Sequence, residues 1–370
     1  MPEVAGSSPV GRPIFLAREY PVQSTWDFPD FDDHEGVHFF SDPASGLSAV
    51  IAVHSTALGP AAGGVRFWHY ADRADAVTDA LRLSRGMSFK NAMAGLPMGG
   101  GKGVLLAPRD RAKTPELLAA FGRAIDSLGG RYVTAEDVGM SEADMIAIGK
   151  ETKHVSGLPV GAGSAGGDPG PYTAEGVFLG VKAAAARGLG VADMKGVRVA
   201  IQGVGSVGGG LARRLAPEGA ELILADVDAG RAEALAAELG ARTVGADAIL
   251  REEADVVSPN ALGAVLTETS IAGLTAKVVA GGANNQLATA RDGRRLHERG
   301  ILYAPDYVIN AGGIINVGLE YLGQGDAAEV SARVARIPDR LAEVWDESAR
   351  TGAPAADVAD AIARRLIGRG

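Results

Sequence analysis

The glycine pattern Gly203-x-Gly205-x-x-Gly208 is the feature that most constrains the fold of this chain. It follows residues 197–201, an apolar run typical of a buried strand, and opens residues 207–215, an apolar stretch typical of a helix. In such a unit the first glycine permits a tight turn, the second lets a pyrophosphate approach the backbone, and the third lets the helix pack on the strand. Ser206 and Val207, at the helix start, offer free backbone N–H groups to a phosphate. The pattern therefore predicts a dinucleotide site on a doubly wound parallel sheet.

An acidic residue stands where such a site contacts the ribose. Asp226 follows the next apolar run, residues 220–225, and lies 23 positions after Gly203. A carboxylate at about this distance accepts hydrogen bonds from the adenine ribose and repels a 2′-phosphate, so the sequence favours NAD over NADP. Arg231 lies nearby and weakens that preference. The alternative is a glycine-rich turn in a Rossmann-like domain that binds nothing.

The length of the chain and the order of its predicted elements indicate two domains. The chain has 370 residues, which suits two hydrophobic cores better than one. Strands and helices alternate in both halves, which predicts an α/β fold, and the second half has the order of a doubly wound sheet. We expect a first domain at residues 1–155 and a Rossmann cofactor domain at residues 156–344, with helices at about 345–370 packing back on the first. The glycine-rich residues 161–170 are a candidate hinge or cleft loop.

Composition excludes several classes of function. The net charge is −9 and the basic residues form no stripe, which argues against non-specific nucleic-acid binding. Cysteine is absent and no H-E-x-x-H motif occurs, so we expect no metal site. No segment reaches about 18 consecutive apolar residues, and the N-terminus lacks the apolar core of a signal peptide. We expect a cytoplasmic protein that does not span a membrane.

Two lysines flank an apolar, glycine-rich segment. Lys90 and Lys102 stand on either side of residues 91–101, which we expect to form a loop. Two lysines near one cleft lower each other's pKa and desolvation lowers it further, so one could be a general base near neutral pH. The other could stay charged and hold a carboxylate. As chemistry alone, the pair is equally compatible with two surface lysines beside a loop.

A carboxylate is predicted at the end of a strand in the same half. Asp137 follows the apolar residues 132–135 and precedes a predicted helix that begins near Ser141. A carboxylate at the C-terminal end of a strand is well placed to face a cleft between domains. A helix-capping role is the alternative, and Glu136 is a competing carboxylate.

Six ordered segments extend the pattern beyond the glycines and lysines. They are residues 58–66 (LGPAAGGVR), 86–91 (GMSFKN), 96–102 (LPMGGGK), 134–139 (TAEDVG), 283–286 (ANNQ) and 303–313 (YAPDYVINAGG). Through them, and over about residues 36–325, the chain resembles the glutamate/leucine/phenylalanine/valine dehydrogenase superfamily, in its leucine/valine/phenylalanine branch. The resemblance implies NAD-dependent oxidative deamination of an L-amino acid to a 2-oxo acid and ammonia.

The resemblance also implies roles for individual residues of the first domain. Lys90 would bind the substrate carboxylate, and Lys102 would activate the water that attacks the imine carbon. Asp137 would shuttle protons to and from the amino group and the carbinolamine. The backbone of Gly63 and Gly64 would line the substrate site beside Lys90.

Four asparagines of the second domain are expected at the cleft on the same grounds. Asn285, or its neighbour Asn284, would meet the nicotinamide side of the cleft, and Asn310 would do likewise. Of the two neighbours, we expect Asn285 to bind the substrate and Asn284 the cofactor. Asn260 belongs to Ser258-Pro-Asn, which departs from the Pro-Cys-Ala pattern common in relatives where the fourth strand meets the cofactor. We expect Asn260 to lie at the cofactor in that place.

The pocket for the substrate side chain is predicted to be apolar. No basic residue is placed for a distal carboxylate, which favours leucine, valine or phenylalanine over glutamate. Ala62 stands where leucine-type enzymes of the family tend to carry a bulky leucine, and its small size enlarges the pocket. Ala135, Ile314 and Val317 resemble the branched-chain type. We expect a broad apolar specificity that includes phenylalanine, with a phenylalanine-selective enzyme as the alternative.

Two other functions compete with this prediction. A dehydrogenase of 2-hydroxy acids needs a histidine–carboxylate pair, and no histidine lies in the six segments. A regulatory protein that binds NAD without turnover would not need the two lysines and Asp137. The resemblance further implies a homo-oligomer, with the strand-rich region before His54 as a plausible contact.

Overall fold

The computed structural model describes residues 24–110, 112–159 and 165–370. Residues 160–164, part of the predicted hinge, lie outside these ranges. Within the described residues the chain forms two six-stranded sheets with helices packed against them. The predicted α/β class with a Rossmann-type sheet is confirmed. The division between domains near residue 155 stays a prediction.

The first sheet mixes parallel and antiparallel strands. Its order is β1-β2-β5-β3-β6, with β4 paired to β5. The antiparallel pairs are β1 with β2 and β2 with β5, and the other pairs are parallel. The strands are β1 (Gly36–Asp42), β2 (Leu47–Ser55), β3 (Ala61–Ala62), β4 (Val65–Trp68), β5 (Gly99–Leu106) and β6 (Tyr132–Val133), and the helices are α1 (Arg73–Met93), α2 (Pro115–Asp126) and α3 (Glu142–Ile148).

The second sheet has the order β9-β8-β7-β10-β11-β12, with all its strands parallel. Its strand order reverses between β7 and β10, and ligands of such sheets bind at that point, outside the carboxyl ends of the strands. The strands are β7 (Arg198–Gln202), β8 (Glu221–Ala225), β9 (Arg242–Thr243), β10 (Val256–Pro259), β11 (Val278–Val279) and β12 (Leu302–Tyr303). The helices are α4 (Gly170–Leu189), α5 (Ser206–Leu215), α6 (Ala229–Leu239), α7 (Glu268–Gly273), α8 (Ala290–Glu298) and α9 (Asp306–Ile309).

Four helices complete the chain, and the last of them returns to the first sheet. They are α10 (Gly312–Tyr321), α11 (Ala327–Val334), α12 (Ile337–Thr351) and α13 (Ala355–Leu366). Arg364 on α13 donates to Oδ2 of Asp32 at 2.9 Å, and Arg369 donates to the backbone oxygen of His54 at 2.7 Å. Among the described residues, no helix is both long and apolar enough to cross a membrane.

The first helix is longer than the sequence pattern predicts. In the sequence, Ala76, Ala80, Leu83 and Met87 form an apolar stripe that predicts a helix over residues 72–87. In the structure α1 runs to Met93, and β5 already begins at Gly99. Phe89, Ala92 and Met93 are buried, so tertiary packing extends the helix through the segment expected to be a loop. Lys90 therefore lies in the last turn of a helix and Lys102 within a strand. The prediction that they flank a loop of residues 91–101 is wrong.

Candidate active site

Lys102, on an inner strand of the first sheet, and Asp137, which follows β6, form a close ion pair. Lys102 lies on β5 with its side chain only 6% exposed, and its Nζ donates to Oδ2 of Asp137 at 2.6 Å. Burial lowers the pKa of Lys102, and Asp137 opposes that effect. Burial acts to raise the pKa of Asp137, but Lys102 and Arg66 outweigh it, so that this pKa lies below its ordinary value. The pair can therefore exchange a proton in a site largely closed to water.

Arg66 is a site residue that the sequence analysis overlooked. Its Nε donates to Oδ2 of Asp137 at 3.1 Å, and its Nη1 donates to Oδ2 of Asp79 at 2.8 Å. A basic residue thus stands beside the ion pair, but nothing in the geometry of the described residues directs it to a distal carboxylate, so the expectation of an apolar side-chain pocket stays a prediction. Its charge is held between two carboxylates of the protein. In the sequence, the only indication that Arg66 has a role is that this charged residue ends the matched segment 58–66 and lies in an otherwise apolar strand.

Lys90 approaches the same region from α1 and is partly buried. Burial lowers its pKa to about 8, with a smaller contribution from Lys102, while Asp306 acts in the opposite direction. Asp306 begins α9 in the second half of the chain, and its carboxylate accepts the backbone N–H groups of Gln286 and Tyr307 at 3.1 and 2.8 Å. Burial is the main cause that raises the pKa of Asp306. Asp306 lies in the matched segment 303–313, but sequence analysis gave it no role.

Glycines bring the elements of this site close together. A side chain at Gly100 would overlap the backbone nitrogen of Ser88, so the glycine lets β5 pack directly against α1. A side chain at Gly63 would overlap the backbone oxygen of Gly101, and one at Gly64 would come within 3.0 Å of Cβ of Asp137. The backbone at Gly63 and Gly64 therefore lies against the segments that carry the ion pair.

An apolar cluster lies next to these residues. Ala62 is buried with Leu96, Met98 and Val133, and Ile314 packs against them from α10. Ile314 and Val317 are one helical turn apart and partly exposed, whereas Ile315 between them is buried. Ala135 is also partly exposed. The four predicted pocket residues are thus apolar, and Ala62 and Ile314 share one cluster.

The glycine-rich turn after β7 has the features that a bound dinucleotide requires. Gly203 has a φ of +83°, which favours glycine, and a side chain at Gly208 would overlap the backbone oxygen of Gly203. Gly205 is exposed, and the space that its Cβ would take is open. Ser206, also exposed, begins α5, and Val207 follows it. The turn therefore leaves an open approach to the positive end of a helix.

Asp226 stands beside that turn at the end of β8. Its Oδ2 accepts the backbone N–H of Val204 at 2.8 Å, and its Oδ1 accepts that of Asp228 at 3.0 Å. Nη1 of Arg231 lies 3.6 Å from Oδ1. Burial acts to raise the pKa of Asp226, but these hydrogen bonds and Arg231 bring it below its ordinary value. The group next to the turn is therefore an anion that is already fixed in position.

The four asparagines differ in whether their side-chain amides are already hydrogen-bonded within the protein or are exposed to a ligand. Asn260 is committed within the protein, because its Nδ2 donates to the backbone oxygen of Ser258 and its Oδ1 accepts the N–H of Gly282. Asn310 donates to Oδ1 of Asn284 at 2.8 Å, while its own buried Oδ1 has no partner within the described residues. Asn284 and Asn285 are exposed, and Asn285 has a positive φ of 52°. Asn310 and Asn284 thus form a pair, whereas Asn285 projects separately.

Two family models match the chain. Residues 34–154 match the model described as "Glu/Leu/Phe/Val dehydrogenase, dimerisation domain". Residues 227–364 match the model described as "Glutamate/Leucine/Phenylalanine/Valine dehydrogenase". The two matches cover the Lys90–Lys102–Asp137 region and most of the second sheet.

Individual relatives match over nearly the whole length. The chain is 46% identical over 337 residues to a leucine dehydrogenase of Bacillus subtilis, covering 91% of this chain and 92% of the relative. It is 46% identical over 341 residues to a valine dehydrogenase of Streptomyces coelicolor, covering 91% and 93%. A solved L-tryptophan dehydrogenase from Nostoc punctiforme superposes with a TM-score of 0.81 at 40% identity, covering 90% of this chain and 96% of that one.

Proposed function

This chain belongs to the glutamate/leucine/phenylalanine/valine dehydrogenase family, and we propose that it catalyses the reversible, NAD-dependent oxidative deamination of an apolar L-amino acid. In that reaction the amino acid, NAD⁺ and water give the 2-oxo acid, an ammonium ion, NADH and a proton. The observation that carries the proposal is the buried Lys102–Asp137 pair, 2.6 Å apart, beside a second lysine of lowered pKa.

Lys90 is proposed to hold the carboxylate of the substrate. A protonated lysine at a partly buried position needs a negative partner, and the substrate carboxylate would supply one. Asp306 supports this role, because its negative charge favours the protonated form of Lys90. Gly63 and Gly64 would line the same wall with backbone, where a side chain would meet the ion-pair segments.

Lys102 is proposed to activate water. When bound, NAD⁺ accepts the hydride from Cα of the substrate, which leaves an electrophilic iminium carbon. A neutral Lys102 would then take a proton from the water that attacks this carbon, and burial favours its neutral form. Asp137 would first take the proton that the substrate ammonium group must lose before hydride transfer, and would later give it to the nitrogen of the carbinolamine and take one from its hydroxyl. The C–N bond then breaks, the C=O bond forms and ammonia leaves.

The cofactor is proposed to be NAD, bound at Gly203, Gly205 and Gly208. The open space at Gly205 and the start of α5, with Ser206 and Val207, suit a pyrophosphate. The ionised Asp226 suits a ribose with a free 2′-hydroxyl and opposes a 2′-phosphate.

The asparagines complete the proposed cleft. Asn284 and Asn310 are proposed to lie on the nicotinamide side, and the unpartnered Oδ1 of Asn310 is the group that most needs a donor there. Asn285 is proposed to face the substrate. Asn260 is proposed to act at the cofactor through the backbone that it holds, because its own amide is already bonded.

The substrate is proposed to be a branched-chain amino acid, with room for phenylalanine. The apolar cluster of Ala62, Leu96, Met98 and Val133 with Ile314 offers no charge to a distal carboxylate. Arg66 is engaged by two aspartates and does not change this inference. The relatives named for leucine, valine and tryptophan are consistent with an apolar pocket of variable width.

The test is a set of initial rates with NAD⁺ and L-leucine, L-valine, L-isoleucine, L-phenylalanine or L-glutamate. We expect kcat/KM to be highest for a branched-chain substrate, with measurable turnover of phenylalanine. A preference for phenylalanine over all three branched-chain substrates would replace the proposed specificity with the phenylalanine-selective one. A preference for glutamate would overturn the argument from the pocket.

The chain is also proposed to assemble with copies of itself. The model that matches residues 34–154 is described as a dimerisation domain. Within that region β1 is an edge strand whose Phe39 is 60% exposed, so this strand offers unpaired backbone groups and an apolar side chain to a second copy. Light scattering should give a mass above that of one chain.

A further inference from the structure

One oxygen of Asp137 receives two cationic donors. Nζ of Lys102 lies 2.6 Å from Oδ2, and Nε of Arg66 lies 3.1 Å from the same atom. The two donors come from neighbouring parallel strands, since Arg66 on β4 pairs in register with Val104 on β5. The carboxylate is thus held by two cations through Oδ2, and the backbone of Val138 adds a hydrogen bond to the same carboxyl group.

Arg66 is itself held from the opposite side. Its Nη1 donates to Oδ2 of Asp79 at 2.8 Å, and the hydroxyl of Tyr70 donates to the same oxygen at 2.8 Å. Nη2 of Arg82 reaches the other oxygen of Asp79 at 3.1 Å. Arg66 and Asp79 are 22% and 16% exposed, so water does not fully screen this chain of charges. The guanidinium therefore bridges two carboxylates in a fixed geometry.

We propose that Arg66 is a positioning residue for the proton-transfer pair, and that Arg66 and Asp79 together set how readily Lys102 gives up its proton. Arg66 orients the carboxylate of Asp137 and keeps a positive charge beside it when Lys102 is neutral. Asp79 holds Arg66 in place. Its negative charge favours the protonated form of Lys102, whereas the positive charge of Arg66 favours the neutral form. This inference rests on the proposed function, because it assumes that neutral Lys102 is the reactive form.

The charged and titratable groups around Lys102 come from several elements. Asp137, Arg66 and Asp79 act on Lys102, Lys102 acts in turn on Lys90 of α1, and Tyr132 of β6 is influenced by Asp137. Arg66 lowers the pKa of Lys102, whereas Asp137 and Asp79 raise it. Removing Arg66 and removing Asp79 should therefore shift the ionisation of Lys102 in opposite directions. A role limited to structural support would not predict opposite signs.

The experiment compares pH profiles of kcat/KM for L-leucine in the wild type, Arg66→Gln and Asp79→Asn. The acidic limb reports the loss of the proton from Lys102. We expect this limb to move to higher pH in Arg66→Gln and to lower pH in Asp79→Asn. We also expect Arg66→Gln to lose at least about tenfold in kcat/KM near neutral pH, within the range for groups that support general base catalysis.

Two further variants serve as controls. Arg66→Lys keeps the positive charge but cannot bridge Asp137 and Asp79 with two separate nitrogens. It should keep the acidic limb of the pH profile near its wild-type position. Arg82→Gln removes another cation from Asp79, but Arg82 is 50% exposed and acts on Asp79 rather than on Asp137, so it should leave the limb in place. If Arg66→Gln fails to fold, Asp79→Asn still tests the direction of the shift, and Arg66→Lys still tests whether the limb stays in place when the charge is kept.

The inference is overturned if the limb stays fixed in Arg66→Gln and Asp79→Asn, or if both variants move it the same way, even when their rates fall. Failure of the proposed function is a separate result, because it would appear as absence of turnover in the wild type with every apolar amino acid. An active wild type with unshifted variants would leave the proposed function intact and remove only the role of Arg66.

Discussion

At the scale of single residues, the charged side chains of the site obtain their properties from their neighbours. Burial lowers the pKa of Lys90 and of Lys102, and Asp306 and Asp137 respectively oppose it. Together these effects give Lys90 a pKa of about 8. This value is close enough to neutral pH for a bound substrate carboxylate to increase the protonated fraction of Lys90. One lysine can therefore serve as an anchor and the other as a base, although both are the same residue type.

Asp226→Asn should change the preference between the two coenzymes. The amide can retain the oxygen that accepts the N–H of Val204, but it loses the charge that repels a 2′-phosphate and frees Arg231. We expect the ratio of kcat/KM for NAD⁺ over NADP⁺ to fall at least about tenfold, or ~1.4 kcal/mol. Asp228→Asn is a matched control, because Asp228 also lies near Arg231 but is exposed. An unchanged ratio in Asp226→Asn would contradict the proposed role.

Some residues of the site can be predicted from their identity and local motif, and others cannot. Lys90, Lys102, Asp137 and Asp226 lie in short motifs whose chemistry is recognisable. Arg66 and Asp306 were missed because their significance depends on the ion pair of Arg66 with Asp137 and on the electrostatic effect of Asp306 on Lys90, and these partners are distant in the sequence. Neither interaction leaves a local pattern.

At the scale of elements, the packing of α1 on β5 decides where the lysines stand. The five residues from Gly99 to Gly103 include four glycines, which disfavour a strand, yet they form most of β5. They do so because α1 and Tyr132 approach too closely for side chains at several of these positions. The low strand propensity of the glycines predicts a loop here, but the tertiary contacts of β5 outweigh that propensity.

Gly100→Ala should weaken this contact. The added Cβ would overlap the backbone nitrogen of Ser88, so α1 must move away from β5 and take Lys90 with it. We expect the free energy of unfolding to fall by about 1–3 kcal/mol and the KM for the amino acid to rise. The control is Gly86→Ala on the same helix, where nothing lies within 4 Å and where alanine should be neutral or stabilising. Equal stability of Gly100→Ala and the wild type in urea unfolding would contradict the packing argument.

Elements with a clear period were predicted best. The strand predicted at residues 197–201 is β7, which lies one residue later, and the helix predicted from residue 207 is α5, which begins one residue earlier. The short strand β9 was missed, because Arg242–Thr243 are exposed and too few to show a period. The predicted strand at residues 132–135 is shortened to Tyr132–Val133, although Thr134 still forms an isolated parallel bridge with Val155.

At the scale of the whole molecule, hydrogen bonds of α10 and of the C-terminal end join the second half of the chain to the first, in addition to apolar packing such as that of Ile314 on the cluster that contains Leu96. The carboxylate of Glu320 on α10 accepts the backbone N–H groups of Gly157 and Leu158 at 3.0 and 2.9 Å. At the C-terminal end, α13 and the residues after it reach His54 and Asp32. Because α10 also carries Ile314 and Val317, movement at the first contact would move one wall of the predicted pocket.

The contact at His54 predicts a pH dependence of stability. His54 is fully buried and hydrogen-bonded to Ser88, and burial together with Arg369 and His34 lowers its pKa to about 3, against the pull of Asp32. Between the ordinary histidine pKa of 6.5 and about 3, the unfolded chain binds a proton that the folded chain excludes. Stability from this residue is therefore complete above pH 6.5 and declines as the pH falls towards 3.

The measurement is the free energy of unfolding in urea at several pH values. One such group contributes at most about 1.4 kcal/mol per pH unit. We expect His54→Gln to have a shallower slope than the wild type below pH 6.5, whatever its stability at pH 8. His34 contributes in the same direction, so some slope should persist in the variant. Identical slopes would show that His54 does not stay neutral in the folded protein.

The most direct test of the account is the rate of NADH formation from NAD⁺ and L-leucine by Lys102→Ala. The account predicts a loss of about 10²- to 10⁴-fold in kcat relative to the wild type, as expected for removal of a general base, with the Kd for NAD⁺ within about twofold of the wild-type value. A regulatory protein that only binds NAD would show no such turnover in the wild type. A variant rate close to that of the wild type would contradict the central role of Lys102.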